Sequence, residues 1–442
     1  MIFDTITLIL GAAIIILAVL TSLLSPFRRA DVKTLRSFDV EKPNDDVLSP
    51  LHSESAPADR AETMRSLDVE APSDDLPTSQ HLNISTSQPL TLLITVQQKQ
   101  AQMLERHLPQ FLSQDYEPGF EVVVVAEKGD SDTEDVLNRY AGNPLLYSTY
   151  IPDSSRYMSR KKLAITLGVK AAHNEWIVMT DAFCSPSGNH WLQAIASHIA
   201  DSTTDEANQA PLSSEGDGGG YNLIIGYSNY DDEARPYYRF ERLQQACYTM
   251  REARQGKAYR AMGCNVAFRK SEFIAGDGFR GNLEHTRGEY DFLVNKFSQR
   301  RSTAVANEPD AWIIDDAPTR HEWRSRHIYY MHTRKYLARS FRHRLLPFID
   351  ELALHLCFLA IIGIGVFAGL TSRWILLGAA VVALVIAVCM RTSFARKTVR
   401  AYGEDIASWR LYPYELSGIW HKLYQHLRYW RADKTGFTSH KV

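Results

Sequence analysis

Several polar side chains in this sequence stand where apolar runs end or helical patterns begin, which is where a folded chain can present chemistry. Glu127 closes the run EVVVVAE, and Asp181 closes EWIVMTD. Lys161 and Lys162 open the pattern KKLAITLGVKAA, where ammonium groups can neutralise phosphate charge. GEYDFLVNKF puts Glu289 and Asp291 in a first helical turn. Carboxylates there are favoured by the macrodipole and can also accept a proton. Arg326, in WRSRH, carries a planar fork able to bind two phosphate oxygens at once. In GCN, Gly263 permits close backbone approach and Asn265 offers both donor and acceptor. Plainer readings stand beside each of these. Acids at turns are often merely solvated, lysines at helix starts are common on surfaces, and GCN can be a turn before a strand.

The elements that would position these groups are legible from periodicity. LTLLITV from Leu90, EVVVVA from Glu121, a run near Leu145 to Tyr150 and EWIVMT from Glu175 read as strands. Gln100 to Leu112, the stretch after Ser131 and Lys161 to Ala172 read as helices. Strands alternating with helices predict parallel βαβ units, whose ligands bind beyond the carboxyl ends of the strands. That rule selects the positions just after Val125 and Thr180.

The chain has 442 residues and a formal net charge of −2, so it lacks the basic footprint of a nucleic-acid binder. Ile6 to Leu24 is long and apolar enough to cross a bilayer, and Arg28, Arg29 and Lys33 follow it. With no charged region before the run and cations after it, an anchor with the downstream chain in the cytosol is expected; a cleaved signal peptide is the competing reading. Glu351 to Leu370 and Trp374 to Met390 predict a membrane hairpin with basic flanks on both sides, hence both on the cytosolic face. The five cysteines are scattered without a C-x-x-C, which suits a reducing compartment and argues against a disulfide framework or a zinc site. Residues 30–88 are rich in Ser, Pro and acids, and LRSFDVEKPNDDV recurs as MRSLDVEAPSDDL, predicting a disordered tether with an internal duplication.

EVVVVAEKGDSDTEDVL, KKLAITLGVKAA, EWIVMTDAFCSPSGNHWL, GCNVAFRKSEF, GEYDFLVNKF and WRSRH follow one another in the order found in family 2 glycosyltransferases. The chain thus resembles a bacterial polysaccharide-type member of that family. The resemblance implies an α/β fold, a GT-A (Rossmann-like) mixed-sheet domain, with three transmembrane α-helices. It implies transfer of a sugar from a nucleotide-diphosphate donor to a saccharide or lipid-linked acceptor, with inversion, at the cytosolic side of a bacterial inner membrane, and partners in polysaccharide assembly. By the same resemblance Asp291, with Glu289 behind it, is the catalytic base. Glu127, Lys162, Asp181, Asn265 and Arg326 bind the nucleotide sugar, and Asp181 ligates a divalent cation, Mg²⁺ or Mn²⁺.

The sequence departs from the family pattern at four positions. Phe183 replaces the second acid of Asp-x-Asp, Tyr290 splits the acid pair, and Ala126 and Trp323 stand where an Asp and a Gln are usual. A catalytically degenerate binding or scaffold subunit is therefore the second reading, and an adaptor recruiting partners through its duplicated tether the third. The expected layout is an anchor over 1–29, the tether over 30–88, the glycosyltransferase domain over 89–343, the hairpin over 344–392 and an amphipathic cytosolic tail over 393–442.

Overall fold

The computed structural model describes residues 5–29, 88–152, 159–204, 221–255 and 257–437. The duplicated segments of the expected tether lie outside the described residues. Among the described residues helix α1 (Thr5–Ser22) comes first, followed by β1 (Leu90–Thr95), α2 (Ala101–Leu112), β2 (Phe120–Glu127), α3 (Ser131–Arg139), β3 (Leu146–Ile151), α4 (Arg160–Ala171) and β4 (Trp176–Asp181). Next are β5 (Cys184–Pro186), α5 (Trp191–Thr204), β6 (Leu223–Gly226), β7 (Ser228–Tyr230), α6 (Pro236–Gln255), β8 (Val266–Arg269) and α7 (Lys270–Ala275). The chain continues through α8 (Glu289–Phe297), β9 (Thr303–Ala306), β10 (Ile313–Asp315) and α9 (Arg320–Thr333). Three long helices follow, α10 (Ser340–Leu370), α11 (Trp374–Ala401) and α12 (Ser408–Arg431).

Seven strands form a mixed sheet in the order β3-β2-β1-β4-β8-β6-β9. β1 to β4 are mutually parallel, as the alternating pattern predicts, while β8 runs antiparallel between β4 and β6. Helices cover both faces, which is why the strands read as unbroken apolar runs. Leu93, Val123, Val125 and Met179 pack with Leu163, Phe240 and Leu243 on one side. Leu92, Val122, Val124 and Val178 pack with Leu104, Leu108 and Trp191 on the other. A second, three-stranded sheet has the order β5-β10-β7, and its register sets Asp315 opposite both Cys184 and Tyr230.

Three helices are long and apolar enough to cross a membrane, over Thr5–Ser22, His343–Leu370 and Trp374–Ala401. Small residues let them approach closely: Ala18, Ala383 and Ala387 are buried between them with Ile14, Cys357 and Ile361. The second hairpin helix runs on past the expected Met390 to Ala401, and in doing so it buries Arg391. Its guanidinium forks onto Asp350 of α10 at 3.1 Å, pairs with Glu415 of α12 and donates to the Thr21 carbonyl of α1 at 3.0 Å. Tyr248 of α6 donates to the same Asp350 at 2.8 Å, tying the sheet domain to the long helices.

The segment from WRSRH to YLARS is not one helix. α9 ends at Thr333, and α10 starts after Arg339, whose φ of 64° belongs to a turn. The Arg339 side chain holds that turn by donating to the Ala258 carbonyl at 2.8 Å. The expected amphipathic tail contains the C-terminal helix α12. One face docks on the sheet domain through His421 stacked on Tyr237, while Trp409, Trp420, Leu423, Leu427 and Trp430 remain exposed.

Candidate functional site

A cleft of about 480 Å³ opens at the carboxyl ends of β4, β7 and β10. It lies within the size range of small-molecule sites. Asp181, Phe183, Tyr230, Asp315, Glu289, Tyr290, Asp291 and Arg326 all line it, together with Lys161, Arg242 and Arg260.

Asp181 is the last residue of β4 and is buried. Thr95, its register partner at the end of β1, donates to Oδ1 at 2.6 Å. Lys161 Nζ donates to Oδ2 at 2.6 Å. Both carboxylate oxygens thus have partners, and Phe183 two residues on offers none. The Lys161 ammonium also sits 4.8 Å from the Tyr290 ring centroid and 5.9 Å from that of Phe183. Two residues foreign to the Asp-x-Asp and paired-acid patterns therefore form an aromatic bed for a lysine.

Asp291 and Glu289 enter the cleft from the start of α8, which follows Gly288 at φ 91°. A Cβ at Gly288 would lie 3.0 Å from Thr333 Cγ2, so the tight entry needs glycine in both conformation and space. Arg260 Nε lies 3.3 Å from Asp291 Oδ1. Burial outweighs this cation and raises the Asp291 carboxyl above its usual range. A carboxylate so placed is a better base than a solvated one. Glu289 accepts from Ser159 Oγ at 3.4 Å.

Arg326 reaches in from α9, 3.2 Å from the Tyr230 hydroxyl and 3.5 Å from Asp315 Oδ2, with 40 % of its side chain exposed. Arg242 donates to Asp315 Oδ2 and to Ser228 Oγ, each at 2.7 Å. A Cβ on Gly263 would lie 2.3 Å from Arg242 Nη2, so the close approach expected of Gly263 is used to seat this arginine. Trp323 stacks on Tyr238 with ring centroids 4.3 Å apart, and its indole N–H donates to Glu241 Oε2 at 3.1 Å. His327 meets the other Glu241 oxygen at 3.1 Å. Burial acts to raise the Glu241 carboxyl, but His327 and its neighbours hold it below the usual range. Burial likewise opposes a charge on His327, and Glu241 raises it all the same. The WRSRH segment is thereby locked onto α6.

Three residues expected at a nucleotide-sugar site do not line this cleft. Lys162 is fully buried on the other side of α4, donating to the Asn282 and His285 carbonyls at 2.6 Å each. Burial lowers its ammonium to about 8. Adjacent residues on a helix point about 100° apart, so only one of the two lysines can face the cleft. Ser159 caps the helix in a phase that gives that place to Lys161. Asn265 is buried beneath the floor, donating to the Tyr227 and Ala311 carbonyls at 3.0 and 2.8 Å, and ties strand ends together. Glu127 ends β2 as expected but pairs with Arg160 at 3.0 Å outside the cleft lining.

Sequence reasoning missed Asp315, Arg242 and Arg260. The first had a usable signal, since IIDD is an apolar run closed by acids, the pattern that selected Asp181. The two arginines had none, because α6 is nearly uniform in polarity and Arg260 lies in a segment without periodicity. The cysteine expectation also needs correction. Cys184 and Cys264 meet sulfur to sulfur as a disulfide pair, 80 residues apart in sequence, because β5 and the GCN segment both abut Asp315.

No family model matches the sequence, and no curated protein matches it. Among solved structures the chain is similar to the mannosyltransferase PcManGT from Pyrobaculum calidifontis in complex with GDP-Man and Mn2+. Identity is 17 %, covering 72 % of this chain and 88 % of that one, with a TM-score of 0.41. It is also similar to S. aureus TarS 1–349 in complex with UDP-GlcNAc, at 12 % identity over 74 % of this chain and 91 % of that one, with a TM-score of 0.38.

Proposed function

We propose that this chain is a membrane-bound inverting glycosyltransferase, moving a sugar from a nucleotide-diphosphate donor to a saccharide or lipid-linked acceptor at the cytosolic face of a bacterial inner membrane. The observation carrying this reading is the convergence of Asp181, Glu289, Asp291 and Arg326 with Lys161 on one strand-end cleft. These residues come from distant motifs in the order typical of family 2. α9, which carries Arg326, lies six residues before α10, so the cleft sits close to the membrane helices.

In this reading Asp291 takes the proton of the acceptor hydroxyl, whose oxygen attacks the anomeric carbon as the bond to the diphosphate breaks. Lys161 and Arg326 balance the charge that develops on the leaving diphosphate. Trp323, stacked on Tyr238, and Tyr330, beneath the Arg260 guanidinium, form a wall of the cleft that would shape the acceptor side. A divalent cation fits only as a companion of the donor, because Asp181 is the single acid at the Asp-x-Asp position and Lys161 and Thr95 hold its oxygens. When bound, it would be held by Asp181 in place of Lys161 and supply charge to the diphosphate.

The occupied oxygens of Asp181 also favour a second reading, a degenerate subunit that binds nucleotide sugar without turning it over. Calorimetry of the full chain in detergent with UDP- and GDP-sugars, with and without Mn²⁺, coupled to an assay of nucleoside-diphosphate release, separates the two. Release supports the enzyme; saturable binding without release supports the degenerate subunit. Absence of binding to every donor overturns both.

A further inference from the structure

A second cavity, of about 300 Å³, lies apart from the cleft, between α6 and the start of α10. Its depth follows from the long helices. Arg391, just past the apolar run of α11, bonds Asp350 of α10 and the Thr21 carbonyl near the end of α1. That cluster marks where the three apolar helices end on the side of the sheet domain. Tyr248, on the cavity wall, donates to the same Asp350 at 2.8 Å. His343, also on the wall, precedes Asp350 by seven residues, about 10 Å along the helix axis. A hydrocarbon core of about 30 Å within a bilayer of about 40–45 Å leaves about 5–8 Å of headgroup on each side. With the three helices across a bilayer, the cavity opens at headgroup level.

Two guanidinium groups line this cavity, those of Arg251 on α6 and Arg339 at the α9–α10 turn. Arg339 is held by neutral acceptors, the Ala258 and Asn295 carbonyls at 2.8 and 3.4 Å, and no carboxylate pairs with it among the described residues. Glu252, the carboxylate on the wall, is engaged by His343, whose ring stacks on Tyr259. The lining therefore favours an anion. Its other end is apolar, formed by Leu346 and Pro347. Three and ten residues after Leu346, on the same side of α10, Ile349 and Leu356 are exposed. We propose that this cavity holds the phosphate of an anionic phospholipid from the leaflet on the side of the sheet domain. The phosphate oxygens accept from Arg251 and Arg339, the chemistry by which basic pockets beside membrane helices take lipid headgroups. An acyl chain lies along Leu346, Ile349 and Leu356. A free phosphate would use only the cationic half of this arrangement. A zwitterionic headgroup would bring an ammonium toward two guanidiniums. Bound there, the lipid bridges α6 to the α9–α10 turn. The proposal rests on the three helices crossing a bilayer and not on sugar transfer.

The test is native mass spectrometry of the full chain released from detergent, titrated with phosphatidylglycerol or with phosphatidylcholine carrying the same acyl chains. One phosphatidylglycerol should bind per chain at least about tenfold more tightly than phosphatidylcholine. Arg251→Gln and Arg339→Gln should each weaken that binding by about tenfold or more. Lys397→Gln, at an exposed cation of α11 outside the cavity, should leave it unchanged. Millimolar inorganic phosphate should not displace the lipid. Equal affinity for the two lipids overturns the proposal. So does equal weakening by Lys397→Gln, which would reduce the effect to general surface charge. Displacement by inorganic phosphate overturns it as well, since the cavity would then take a free anion. Arg251 lies outside the α9–α10 turn, so its variant keeps the test decisive if Arg339→Gln fails to fold. No readout involves sugar transfer, so failure here leaves the proposed function standing.

Discussion

At the scale of single residues, the position of a group along its element was legible, but its direction was not. Asp181 and Asp291 follow from the rule that strand ends and helix starts meet at the ligand. Lys161 and Lys162 satisfy that rule equally, and only the helix phase set by Ser159 separates them. Asp291 carries the sharpest prediction. A base works deprotonated, and burial raises this carboxyl above the ordinary aspartate range. Activity should therefore fall on acidification at a pH above that range. Arg260 pulls the carboxyl down, so Arg260→Met should move the acid limb of kcat/KM to higher pH; a limb that stays in place would remove Asp291 from the role. Loss of the Lys161 ammonium in Lys161→Met should lower kcat by about 10²-fold or more, as measured by nucleoside-diphosphate release at saturating donor.

At the scale of elements, the alternation of apolar strands and helices foretold β1 to β4 and their order of use. The resemblance implied a mixed sheet and GCN a turn before a strand, but the antiparallel direction of β8 and the small second sheet were not legible from the residues, because runs of three or four residues carry too little periodicity to register. These short strands nevertheless build half of the cleft, delivering Tyr230 and Asp315 from β7 and β10. The entry to α8 depends on Gly288, whose φ of 91° strains any side chain and whose Cβ would crowd Thr333. Gly288→Ala should cost at least about 1 kcal/mol of stability and disturb Asp291 in the following turn. Thermal unfolding in detergent together with donor turnover reads both effects, and an unchanged melting temperature would show that the turn tolerates Cβ.

At the scale of the whole molecule, hydropathy alone located the three long apolar helices, since a 20-residue apolar run is the strongest signal a sequence carries. It did not reveal that Arg391, which looked like a flanking cation, would turn inward and join α1, α10 and α12 through Asp350, Glu415 and the Thr21 carbonyl. Removing one member of a buried ionic cluster leaves the others unpaired, at a cost of about 3–5 kcal/mol. Arg391→Ala should therefore lower the melting temperature of the purified chain sharply, and a change near zero would mean the cluster is hydrated. Trp409, Trp420 and Trp430 on α12 are left exposed.

The central claim is that Asp291 serves as the base for sugar transfer within a cleft that binds a nucleotide-diphosphate sugar. The most direct measurement is nucleoside-diphosphate release by the full chain in detergent, compared with that of Asp291→Asn at equal donor occupancy verified by calorimetry. The account predicts unchanged donor binding and a loss of turnover of about 10²–10⁴-fold. Undiminished turnover in the Asp291→Asn chain would contradict it.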